Sequence, residues 1–125
     1  MSTPIAHDVK VFVPSKEFEL SLSFYERLGW RVNWKEGGLA EIELAEARSY
    51  LQDFYAKEWA ENFMLYVVVE DAAAWHKHIV STLANGDFPS ACVQPPKKQE
   101  YGAIVTFAHD PCGILIHFAQ PTPQR

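Results

Sequence analysis

Long apolar runs are missing from this chain of 125 residues. None approaches the roughly 18 residues that a membrane-spanning helix needs. The N-terminal MSTPIAHDVKVF has no basic segment leading into an apolar one, so no secretory signal is expected. Cysteine is scarce: Cys92 and Cys112 stand in no CxxC or zinc-type spacing, and one pair builds no disulfide framework. Both are expected to be reduced thiols of a soluble, cytoplasmic protein. An excess of positive charge is also lacking, since the formal net charge is −5. A nucleic-acid partner calls for a basic face and is disfavoured, whereas a cationic ligand is mildly favoured. No Ser-His-Asp signature, P-loop or GxGxxG occurs.

What is present suffices for one core. With 48% hydrophobic and 14% aromatic residues, residues 1–125 are expected to form a single domain. DVKVFV (8–13) reads as a short strand ending at Pro14. Ser15 can cap a helix running through Leu28, because Leu20, Phe24 and Leu28 recur every four residues and Gly29 supplies the stop. WRVNW, LAEIEL and SYLQDFYA then alternate as a meander of strands.

The same order repeats. FMLYVVV (63–69) is a strand, and Glu70 or Asp71 caps a helix through Leu83 with Trp75, Ile79 and Leu83 on one face. SACVQ (90–94), GAIVTFAH (102–109) and GILIHFA (113–119) are three more strands, the last two joined by the type I turn Asp-Pro-Cys-Gly. Laying Val9 on Leu65 puts the copies about 56 residues apart. Each unit is too small to close its own core and must pair with another. The expected architecture is therefore α+β: two βαβββ modules, about 1–58 and 59–125, whose curved mixed sheets form a cleft and which pair in a dimer.

One feature of the last strand stands out. Ile114, Ile116 and Phe118 alternate with Leu115, His117 and Ala119, so an imidazole shares a face with apolar neighbours. His117 is either a polar residue facing a cleft or a buried histidine satisfied by a backbone carbonyl.

LSFYERLGW after the first strand, VVVEDAAAW in the second half and the DPCGILIHF hairpin together resemble the vicinal-oxygen-chelate superfamily of glyoxalases, extradiol dioxygenases and bleomycin-resistance proteins. VPSKEFELSLSFYERLGW, STLANGDFPSA and the ending GILIHFAQ are most similar to the bleomycin-resistance proteins. The resemblance implies four metal-ligand positions, one in the first and one in the last strand of each half, which fall on Asp8, Gln52, Met64 and His117. A Met thioether is soft and a Gln amide weak, so the set is poor for a divalent ion and no metal or other cofactor is expected.

The resemblance further implies a non-enzymatic protein that sequesters a large, flat, cationic glycopeptide antibiotic of the bleomycin type. Such a ligand needs aromatic surfaces to stack on and acids to attract it. The family's aromatic positions fall on Tyr66, Tyr101 and Leu39, with Trp34 near enough to stand in for the missing ring at Leu39. Gln52, Asp53, Phe54, Trp59, Glu61 and His117 complete the expected rim and cleft. Core packing is expected for Phe12, Phe24 and Trp75; Tyr66 and Tyr101 can serve either role. His76 and His78, two residues apart on a helix, point away from each other and cannot share a metal. Lys97 and Lys98 read as a loop overhanging the cleft. The alternatives are a metal-dependent glyoxalase-like lyase or isomerase using Asp8 and His117, and a binder of an unrelated metabolite.

Overall fold

The computed structural model describes residues 3–123. Their order is β1 (Phe12–Ser15), α1 (Phe18–Leu28), β2 (Arg31–Glu36), β3 (Leu39–Leu44), β4 (Ala47–Asp53), α2 (Lys57–Asn62), β5 (Met64–Val68), α3 (Ala72–Leu83), β6 (Cys92–Val93), β7 (Lys97–Gln99), β8 (Ala103–His109) and β9 (Leu115–Pro121). The first sheet runs β1-β4-β3-β2. The second runs β5-β9-β8-β6, with β7 also pairing with β8. In each, the first strand lies parallel to the last and the remaining pairs are antiparallel, so both sheets are mixed. The α+β architecture of two related modules is therefore present.

Local chemistry explains the element ends. Gly29 stops α1 at a positive φ of 128°, a conformation that costs glycine little, and its N–H returns to the Tyr25 and Glu26 carbonyls. Asp71 caps α3 by accepting from the Ala74 N–H at 3.0 Å. The β8–β9 turn is held from inside: Asp110 accepts from the Cys112 and Ile114 N–H groups at 2.8 and 2.9 Å.

Several expectations need correction. The first strand begins at Phe12 rather than Asp8 and includes Pro14, which an edge strand tolerates because its missing N–H is needed by no neighbour. Ser15 belongs to that strand and donates its hydroxyl to the Gln52 carbonyl at 2.7 Å, leaving Glu17 at the helix start without a side-chain cap. The expected strand 90–94 shrinks to two residues, and Lys97 with Lys98 forms strand β7 instead of a free loop. Helix α2 had no periodic signature, being only six residues long.

One continuous core serves both modules. Phe24, Tyr25 and Trp30 of the first half pack with Ile79, Phe88, Ile114 and Phe118 of the second. The rings of Phe24 and Phe88 meet edge to face at 5.4 Å, and Trp75 stacks on Phe118 at 4.7 Å. Each sheet gives one face to this shared core. The opposite face of the first sheet is exposed at Phe12 and Trp34. That of the second is exposed at Met64, Tyr66 and Val68 and covered at its other end, where Ala103, Val105 and Ala119 are buried with Phe107 packed against them.

Candidate functional site

Alternation along the strands decides what the open faces carry. In the first sheet Val13, Ala40, Ile42 and Leu51 go to the core. Their neighbours form a row in register across four strands: Phe12 opposite Tyr50, Tyr50 opposite Glu41, Glu41 opposite Trp34. A bulge between Val32 and Trp34 puts Asn33 and Trp34 against the single residue Glu41. The Trp34 and Tyr50 rings meet at 5.5 Å across the strand that carries Glu41. Phe12 is thus an exposed residue of the open face rather than a core residue.

The second sheet repeats the plan with Tyr66 opposite His117 and His117 opposite Phe107. His117 lies between their rings, 5.4 Å from Tyr66 and 4.9 Å from Phe107, and its Nε2 is 3.4 Å from Met64 Sδ. Its Nδ1 is buried without a partner among the described residues. This removal from water holds the imidazole below its ordinary pKa, favouring the neutral ring. The backbone-carbonyl partner considered for a buried His117 does not occur among the described residues. Tyr101, from the β7–β8 loop, brings its hydroxyl to 3.2 Å from that of Tyr66, and both rings stay open to solvent, 61% and 53% exposed. That hydrogen bond, first among the causes, raises the Tyr101 pKa and keeps the phenol protonated. A cleft of about 570 Å³ on the same face is lined by Pro95, Pro96, Lys97, Phe107, His109 and Leu115, while Tyr66 borders a separate cavity of about 260 Å³ with Val13, Ile42, Leu65 and Val68.

Other expected residues are placed differently. Gln52 and Leu39 face each other on the open side of the first sheet. Asp53 follows Leu51 by two residues and falls on the opposite side of β4 from Gln52. Phe54 and Trp59 pack at 6.0 Å around α2, which also carries Glu61, apart from the two aromatic rows. His78 reaches the Leu28 carbonyl at 3.0 Å, at the end of α1.

The strand registers also reassign the four positions tested for a metal. Helices α1 and α3 begin at residues 18 and 72, an offset of 54 rather than 56. On that offset Met64 corresponds to Lys10, not Asp8. Since Phe12 corresponds to Tyr66, their strand partners Tyr50 and His117 correspond, and Gln52 is displaced. Asp8 precedes β1, bound to Lys10 at 2.7 Å, which lowers its pKa. The set is therefore Lys10, Tyr50, Met64 and His117. An ammonium and a phenol in one module do not fit a divalent ion. No group of three or more His, Cys, Asp or Glu gathers among the described residues.

The sequence pattern of the Glyoxalase/Bleomycin resistance protein/Dioxygenase superfamily matches residues 7–118. The chain belongs to this superfamily. Among its relatives, a bleomycin resistance protein from Klebsiella pneumoniae is 24% identical over 115 residues, covering 86% of this chain and 87% of that one. A bleomycin-binding protein solved with bleomycin superposes with a TM-score of 0.74 at 20% identity, over 92% of this chain and 98% of that chain. An antibiotic-binding protein from a Streptomyces species gives 0.75 at 20% identity, over 97% and 100%. For this member of the superfamily the shared feature is the paired-module scaffold. In the open-face rows, Lys10, Phe12, Glu41, Tyr50 and Phe107 were not legible as site residues in the sequence. Their only signal is alternation against core positions, which needs the register to be known.

Proposed function

We propose that this chain is a non-enzymatic binding protein that sequesters a planar, cationic antibiotic of the bleomycin type. The observation that carries this reading is the solvent-open pair Tyr66 and Tyr101, hydroxyl to hydroxyl, beside the His117–Phe107 row. Aromatic faces held at the surface are suited to stacking on a flat ligand. The relatives named above, a bleomycin resistance protein and two antibiotic-binding proteins, support the reading. A glyoxalase-type lyase is disfavoured by the Lys10, Tyr50, Met64 and His117 donor set.

The cleft is completed by a second copy of the chain. Both sheets turn their open faces away from the shared core, and β1 and β5 are edge strands. Val68 on β5 is 67% exposed, beside exposed Met64 and Tyr66. An unpaired edge with an apolar strip is normally covered. In a homodimer, the first sheet of one copy faces the second sheet of the other. We place this dimer in the cytoplasm, which suits the free thiols of Cys92 and Cys112.

The test is a fluorescence titration with metal-free bleomycin, with the four Trp residues as reporters. Saturable quenching at one drug per chain, at about micromolar Kd or tighter, is the expected result. Tyr101→Ala should weaken it by about tenfold or more. No saturable change, or unaltered affinity in that variant, overturns stacking on this pair.

A further inference from the structure

Glu41 is a largely buried carboxylate with no ion-pair partner within 4.0 Å among the described residues. It is 8% exposed, and among the described residues its side chain accepts one hydrogen bond, from the neutral amide of Asn33, at 2.7 Å to Oε2. The ion pairs of the described residues include Glu43 with Arg31 and Glu19 with Lys35, but none to Glu41. A carboxylate removed from water with so little compensation is costly, and a nearby positive charge offsets that cost. The Trp34 and Tyr50 rings flank it in register. Carboxylate and electron-rich rings together make the chemistry that receives an organic cation.

A cation is already at the edge of this row. Lys10 Nζ sits 5.7 Å from the Tyr50 ring centroid, within cation–π range. It is steadied by Asp8 Oδ2 at 2.7 Å, which in turn lies 3.9 Å from Arg48. The hydrogen bond that Lys10 donates to Asp8, and to a smaller extent the charge of Glu41, keeps this ammonium protonated. Lys10 belongs to the segment ahead of β1, and its side chain is held by a single ion pair, to the exposed Asp8, and such pairs are weak.

We propose that Trp34, Glu41 and Tyr50 form a subsite for the ammonium or guanidinium end of the ligand, and that Lys10 is a tethered cation that competes for it. This rests on the antibiotic-binding reading, and it adds which group of the ligand the first module takes. Binding moves Lys10 off the Tyr50 face and seats the incoming cation over the rings, toward the Glu41 charge. The second module stacks the flat part of the ligand. Removing Lys10 therefore strengthens binding of cations, the reverse of what a lysine contacting an anionic ligand would do.

The experiment is an NMR titration of the Trp34 indole N–H with tetramethylammonium chloride, which offers charge without hydrogen bonds, run beside the bleomycin titration. Lys10→Met should tighten tetramethylammonium binding by about threefold and Glu41→Gln should weaken it by about fivefold. Thermal melts of the same samples verify folding, and Lys10→Met, at the surface, keeps the test decisive if Glu41→Gln does not fold. Unchanged affinity in a folded Glu41→Gln, or weaker binding in Lys10→Met, overturns the subsite. If both variants leave bleomycin and tetramethylammonium binding untouched while bleomycin binds normally, the subsite falls and the antibiotic reading stands. If tetramethylammonium responds as expected and bleomycin does not bind, the antibiotic reading falls and the subsite stands.

Discussion

Tyr50 and His117 hold equivalent places in the two modules. Phe12 stands beside Tyr50 in parallel register as Tyr66 stands beside His117, and the ring centroids are 5.4 Å apart in both pairs. Lys10 over Tyr50 likewise answers Met64 against His117. Where a metal-using scaffold needs donors from both halves, this chain offers an ammonium and a phenol from one and a thioether and an imidazole from the other.

From that pairing follows the first prediction. Protein equilibrated with Zn²⁺ or Mn²⁺ and then dialysed should retain well below one ion per chain by elemental analysis. One tightly held ion per chain, lost in His117→Ala, would contradict the donor argument.

His117 gives the second. Burial lowers its pKa in the folded state below the usual 6.5. Below about 6.5 the unfolded chain binds a proton that the folded chain resists, so stability falls as pH drops through that value. Above it the imidazole is neutral in both states and the effect vanishes. Melting temperature should therefore decline from pH 7.5 to pH 5.5, and His117→Gln should flatten part of that decline. An identical pH profile in the variant would rule out this histidine as the cause.

The third concerns the bond between modules. Tyr25, on α1, donates to Asp110 Oδ2 at 2.6 Å across 85 residues of chain, and both groups are fully buried. Burial, first, and the Asp110 charge raise the Tyr25 pKa well above its usual value, so the phenol stays a donor. Burial also raises the Asp110 pKa, against the hydrogen bonds that lower it. Tyr25→Phe leaves a buried carboxylate oxygen unpaired and should cost about 1.5–3 kcal/mol. Asp110→Ala also strips the Cys112 and Ile114 N–H groups of their acceptor and should cost about 3–5 kcal/mol. Urea unfolding measures both, and losses within about 0.5 kcal/mol of zero would mean that the contact contributes little.

The fourth tests the second copy. Val68→Asp puts a charge on the open face of an edge strand without touching the shared core. Sedimentation should show two chains per particle in the unaltered protein and one in the variant, with ligand affinity lost alongside. A single-chain particle in the unaltered protein would remove the dimer from the reading.

Composition, helix periodicity and turn residues determined the modules. The apolar spacing of α1 and α3, the stop at Gly29, the cap at Asp71 and the Asp-Pro-Cys-Gly turn are short-range signals, each set by residues within a few positions of one another. They were enough for the α+β repeat, and the motifs within them for the superfamily. The core face of the last strand was equally plain, because Ile114, Ile116 and Phe118 alternate without interruption.

What only the tertiary structure decided is register. A parallel pair such as β1 with β4 joins residues nearly 40 apart, and nothing local reports whether Tyr50 meets Phe12 or a residue two positions away. A two-residue shift preserves the face, so alternation cannot detect it, yet it replaced Asp8 and Gln52 with Lys10 and Tyr50. The bulge that brings Trp34 opposite Glu41 is likewise invisible along the chain. The modules are local chemistry repeated twice; the site depends on which rows the sheets bring together.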